Sequence, residues 1–120
     1  MTSSKTKRSE PATNRPALWR SDESTGAATL AEIRAAIDLI DGEIVRLLAE
    51  RLRWTRDAAR FKAGEGEVAA PKRAEAVVAR VKALAAERGV PTAIVEPVYR
   101  ALIGASIADQ RRIFRRIARP

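Results

Sequence analysis

Several cations in this sequence stand where the surrounding pattern favours apolar side chains. Ile33, Ile37, Ile40, Ile44, Leu47, Trp54, Ala58 and Phe61 recur at spacings of three and four, the mark of one helical face, and Arg51 occupies that face between Leu47 and Trp54. A guanidinium in an apolar seam is unfavourable unless it is paired, so it asks for an anion. Lys62 follows Arg51 by eleven residues. On a continuous helix that offset returns to within about 20° of the same face, about 16 Å along the axis, so two long cationic side chains could bracket one anionic ligand. The alternative is that Arg51 pairs with Glu43 or Glu50, or extends to water.

Arg34 precedes Arg51 by seventeen residues, about 25 Å along a helix and about 100° around it, which puts it out of reach of the same ligand within one chain. Two such helices packed antiparallel would bring Arg34 of one to Arg51 of the other. Further on, Ser106 and Gln110 stand four apart and in line with Ile103 and Ile113, which turns a hydroxyl and a neutral amide toward the interior. Gln110 can donate as well as accept and suits an ether or carboxylate oxygen; a boundary glutamine with satisfied hydrogen bonds is the other reading.

The chain has no cysteine and no histidine. Disulfides, the usual zinc ligand sets, thiol nucleophiles and Ser-His-Asp arrangements are thereby excluded, and no metal or cofactor is expected. With 23 Lys and Arg against 15 Asp and Glu the net charge is +8, which raises nucleic acid as a partner. The basic residues concentrate at the two ends, in Lys5, Lys7, Arg8, Arg15 and Arg20 and then in Arg111, Arg112, Arg115, Arg116 and Arg119. Two Trp, one Tyr and two Phe are too few for a base-stacking platform. A small polycarboxylate is the favoured anion.

The elements that must position these residues are helical. Residues 1–28 hold Ser, Thr, Pro and charge with almost no apolar run and read as a disordered basic leader. They lack the apolar core of a signal peptide, and no stretch approaches a membrane span, so a cytoplasmic protein is expected. Thr29-Leu30-Ala31-Glu32 is a capping box opening a long helix that should run to Gly64 and Gly66. At about 34 residues and roughly 50 Å it is too long for one short chain to cover, which predicts a partner helix from a second subunit. A second helix is expected from Pro71 through Val77, Val78, Val81 and Leu84 to Arg88, with Gly89 as a left-handed cap. The third begins between Thr92 and Pro97 and continues through Leu102, Ile107 and Phe114 to Ile117, fraying in the arginine-rich end. Nothing reads as a strand. The expectation is an all-α domain over residues 29–117, three helices per chain, as a homodimer.

From Leu30 to Arg116 the chain resembles the chorismate mutase type II family. The resemblance lies in Ile33-Arg34-x-x-Ile37-Asp38-x-Ile40-Asp41, in Leu47-Leu48-Ala49-Glu50-Arg51, in Lys62, in Ser106-x-x-x-Gln110, and in the spacings between Arg34, Arg51 and Lys62. It implies an intertwined dimer with two equivalent sites, the arginine at position 34 crossing from the neighbouring subunit. It also implies that Arg34 and Arg51 bind the two carboxylates of a chorismate-type substrate. Lys62 and Gln110 then donate to the ether oxygen whose bond to the ring breaks, while Arg73, Ser106 and Ile107 complete the substrate contacts. Such a reaction is pericyclic; it gains from a held conformer and from stabilised charge on that oxygen.

The chain departs from the mutase pattern in Ala70-Pro71-Lys72-Arg73-Ala74. Mutases of the family carry an Asp, then an Arg followed directly by a Glu that contacts the ring hydroxyl; here the arginine remains and alanine replaces both acids. Glu75 is one residue further on, about 100° around a helix, and does not substitute. This stretch, with Arg60-Phe61-Lys62-Ala63 and Glu65, looks more like the isochorismate pyruvate lyase branch, whose members carry Ala-Pro-x-Arg, whereas Ser106 looks more mutase-like. The expected activity is conversion of isochorismate to salicylate and pyruvate, with chorismate mutase as side activity and as alternative. A reading from another class, a non-catalytic helical dimer that binds nucleic acid or a regulatory partner, would suit the basic ends.

Overall fold

A computed structural model describes residues 20–62 and 70–118. Three helices carry the chain, α1 Leu30–Ala59, α2 Pro71–Glu87 and α3 Thr92–Ala118, and the described residues contain no strand. Each helix begins or ends on a chemical signal. Thr29 is extended, and its hydroxyl accepts from the Glu32 amide at 3.1 Å. The Glu32 carboxylate reaches back to the amide of Ala28 at 2.9 Å, one residue before the cap itself. At the end of α2, Gly89 adopts φ +71°, the Val90 amide donates to the Ala85 carbonyl at 2.9 Å and the Gly89 amide to Ala86 at 3.4 Å. That pair of bonds is a Schellman closure, and the left-handed residue it needs is best supplied by glycine. The last part of the expected leader is fastened there: Arg20 donates to the carbonyl of Glu87 at 3.0 Å, the Ser21 amide to Arg88 at 2.7 Å, and the Ser21 hydroxyl to Gly89 at 2.6 Å. Residues 1–19 of that leader lie outside the described residues.

The first helix is shorter than its pattern predicts. It stops at Ala59 instead of running to Gly64, which with Gly66 lies outside the described residues. The amides of Arg60, Phe61 and Lys62 turn to the carbonyls of Asp57, Ala58 and Ala59 at 3.0, 3.0 and 3.3 Å, so the chain tightens into three-residue turns. Phe61 extends the apolar spacing but is 86% exposed; no packing rewards another α-helical turn.

The third helix packs against both others, and the small core forms from Ala59 of α1 with Val78, Val81 and Ala85 of α2. Much of α1 takes no part. Its seam residues Ile33, Ile37, Ile40, Ile44 and Leu47 are all exposed, with Leu39 beside them at 76%. A contiguous apolar face of this kind marks an interaction surface. None of the helices among the described residues is long and apolar enough to cross a membrane.

Ion pairs bind α2 to α3. Arg100 meets Glu75 at 2.9 Å and Glu96 at 2.9 Å, and Lys82 meets Glu96 at 3.4 Å. Hydrogen bonds from Arg100 hold the carboxyls of Glu75 and Glu96 below the ordinary 4.5. A carboxyl whose folded pKa is lowered binds fewer protons folded than unfolded, so its contribution is complete above the unfolded value and disappears as pH falls through the folded one. Urea titrations should therefore show stability decreasing from about pH 6 to about pH 3, with a shallower decrease in the Glu75→Gln, Glu96→Gln double variant. An unchanged slope in that variant would show that these pairs contribute nothing.

Candidate active site

The end of α1, the first turns of α2 and the middle of α3 enclose a cavity of about 350 Å³, within the size range of small-molecule sites. Arg51, Lys62, Arg73, Ser106, Ile107 and Gln110 all line it. Six of the seven residues singled out from the sequence are therefore brought together. Arg34 is not among them: it is exposed on α1, near the opposite end of that helix.

The polar side of the cavity is cationic. Arg51, Lys62 and Arg73 contribute three positive side chains, and no carboxylate stands among the described lining residues. The two acids considered as partners for Arg51 are directed elsewhere, since Glu43 and Glu50 face Arg46 at 2.9 and 3.9 Å. Arg51 instead donates to the Ser106 hydroxyl at 3.1 Å, a neutral partner, and no carboxylate among the described residues pairs with it. A guanidinium has five N–H donors, so this bond leaves others for a ligand.

Lys62 reaches the cavity by a route different from the expected one. The eleven-residue offset assumed an unbroken helix, but Lys62 lies beyond the end of α1 in the closing turn. Its side chain still lines the cavity. Arg73 enters from the first turn of α2, between the small walls of Ala70 and Ala74. Ala70 caps that helix in a left-handed conformation, φ 36°, with no side-chain hydrogen bond, and Pro71 follows at the first helical position. Glu75 is indeed no replacement for the missing acid, because Arg100 of α3 holds both its oxygens at 2.9 and 3.2 Å.

Gln110 is 7% exposed, and its Nε2 donates to the carbonyl oxygen of Thr55 at 2.6 Å. The amide is thus a buried group tied to the α1 backbone, with a second N–H to offer. Trp54, Thr55 and Ala58 of α1, Val77 of α2 and Ile103 of α3 form the remaining wall. Sequence reasoning assigned Trp54 and Ala58 only to the seam, yet their register with Arg51, three and seven residues on, places them beside the same ligand space. The Thr55 carbonyl had no sequence signal, since every residue carries one.

Helices that gather cations, an amide and a hydroxyl around a cavity with no carboxylate among its described lining residues suit a small anion. Residues 33–111 match the chorismate mutase type II family, and the chain belongs to that family. The isochorismate pyruvate lyase of Pseudomonas aeruginosa is 38% identical to it over 86 residues, which cover 72% of this chain and 85% of the relative.

Trp54 lines the cavity and is 68% exposed, so its emission should respond when a ligand displaces water beside it. Titration with chorismate should shift that emission, and Trp54→Phe should remove the change. Arg51→Ala should weaken binding tenfold or more, as loss of charge-assisted hydrogen bonds costs about 1.5–3 kcal/mol. Unaltered affinity in Arg51→Ala would show that the anion binds elsewhere.

Proposed function

We propose that this protein is an isochorismate pyruvate lyase, converting isochorismate to salicylate and pyruvate, with chorismate mutase activity at a lower level. The observation that carries the reading is the cavity wall at Ala70 and Ala74, where the cations are kept and no acid stands among the described lining residues. The likeness to the Pseudomonas aeruginosa lyase supports it. In this reading residues 29–117 form the catalytic domain behind a leader over 1–28, and the enzyme works in the cytoplasm.

The chemistry follows from the donors. Arg51, with Arg34 of a second subunit, binds the two carboxylates and holds the enolpyruvyl group over the ring. Lys62 and Gln110 donate to the ether oxygen, Arg73 adds positive potential, and Ser106 and Ile107 complete the enclosure. As the ring C–O bond breaks, a ring hydrogen passes to the enolpyruvyl methylene, giving pyruvate and an aromatic ring with no other reactant. The step gains from a restrained conformer and from donors already aimed at the oxygen that gains charge, and it requires neither a nucleophile nor a metal.

A homodimer completes the site. The seam of α1 from Ile33 to Leu47 is uncovered within the chain, and Arg34 sits on that uncovered part, outside its own cavity. Antiparallel pairing of two α1 helices would bury both seams and carry each Arg34 to the opposite site. Ser106 favours the second reading, a mutase making prephenate, since its hydroxyl lies in the cavity and accepts from Arg51.

The deciding assay follows salicylate fluorescence from isochorismate beside absorbance loss of chorismate, on one preparation at matched subsaturating concentrations. Isochorismate should be consumed faster, and Lys62→Ala should slow both reactions a hundredfold or more, on the order of 3 kcal/mol. Ala74→Glu should raise mutase turnover relative to lyase turnover. Faster consumption of chorismate, with prephenate as product, would replace the lyase by the mutase.

Sharing of the site is tested by mixing inactive Arg34→Ala and Arg51→Ala subunits. A hybrid dimer holds one site with both arginines and one with neither, so activity should partly return. No recovery from confirmed hybrids would remove the crossing arginine.

A further inference from the structure

Two consecutive residues of α1 meet two consecutive residues of α3 beside the cavity. Gln110 donates through Nε2 to the Thr55 carbonyl at 2.6 Å. One residue along on each helix, Arg56 grips Asp109 with both arms of its guanidinium, Nε to Oδ2 at 2.9 Å and Nη2 to Oδ1 at 3.0 Å. Arg112, one turn further on α3, donates to the same carboxylate. The side chain of Asp109 is only 13% exposed.

We propose that Asp109, clamped by Arg56, is a positioning residue that sets the register of α3 on α1 and so aims the amide of Gln110 into the cavity. The proposal rests on the reading of Gln110 as a donor to the breaking ether bond. A two-armed guanidinium–carboxylate contact fixes separation and orientation together, which a single contact to a flexible side chain does not. The carbonyl of Thr55 can only accept, so the part of Gln110 that faces it is the NH₂ group. With one N–H committed there, the planar amide has one direction left for its second N–H. The pose of the whole side chain is then set by where α3 lies on α1. If α3 slips along α1, the amide keeps its bond to Thr55 only by turning away from the substrate.

Asp109 lies next to Gln110 in sequence and does not line the cavity. Any effect on the reaction must therefore be transmitted, and the route proposed is the adjacent Gln110. A merely structural pair as exposed as Arg56 adds little stability and would act independently of the amide.

The test is a double-mutant cycle on isochorismate turnover in the full chain, with Asp109→Ala, Gln110→Ala and their combination. Asp109→Ala should lower kcat about tenfold, with KM within about twofold and the melting temperature near that of the parent. In the Gln110→Ala background the same change should have no further effect on kcat. Arg56→Met, which removes the clamp from the α1 side and keeps the stem, should reproduce the loss and serves if Asp109→Ala does not fold. Exchange of the pair, Arg56→Asp with Asp109→Arg, should restore most of the rate. Losses that multiply in the combined variant, or that follow the melting temperature, would overturn the proposal. A Gln110→Ala variant with undiminished kcat would instead overturn the donor role of Gln110, and the positioning role with it.

Discussion

Arg51 is a half-buried cation for which the described residues supply no carboxylate. It sits in the seam of α1, donates to a neutral hydroxyl, and has lost both neighbouring carboxylates to Arg46. A charge removed from water without a counter-charge is unfavourable, and Arg73 brings a second guanidinium to the same cavity. A carboxylate in the cavity would offer Arg51 the counter-charge that the described residues do not supply. The described lining thus favours an anion, and no carboxylate stands among its described residues.

The acids nearby are engaged elsewhere. Glu75 is drawn to Arg100, Glu96 to Arg100 and Lys82, and Asp109 to Arg56 and Arg112. Hydrogen bonds from these partners lower the pKa of each carboxyl, which favours the ionised, paired form. These pairs hold three acids outside the described lining of the cavity. In the proposed reaction the protein does little covalent chemistry, so a preserved positive potential and well-aimed donors are the main things the fold has to offer.

What could be read from the sequence was set by short-range rules. The capping box at Thr29, the Pro71 start, the left-handed Gly89 and the inward register of Ser106 and Gln110 each depend on residues within one or two turns, and each appears in the structure. The end of α1 was misjudged because periodicity continues to Phe61 while packing does not. The Arg56–Asp109 contact joins residues 53 positions apart, and the Thr55 carbonyl is common to every sequence position. Neither leaves a pattern along the chain. Lys62 was assigned to the site on a helical offset that the structure lacks, and it reaches the cavity through the closing turn that replaced that helix.

The uncovered seam and the stranded Arg34 are two consequences of one length. A helix of 30 residues extends about 45 Å, well past the reach of a core made by Ala59 and part of α2. Everything N-terminal to Leu47 is then exposed, and Arg34 lies within that part, about 25 Å from Arg51. Shortening α1 would remove the exposed apolar face and, with it, the arginine that the proposed dimer passes to the opposite site. In the proposed dimer the apolar seam drives association, and association is what delivers the second carboxylate-binding group. Stability and substrate binding would then share a single interface, and a chain unable to pair would have both an exposed seam and an incomplete site.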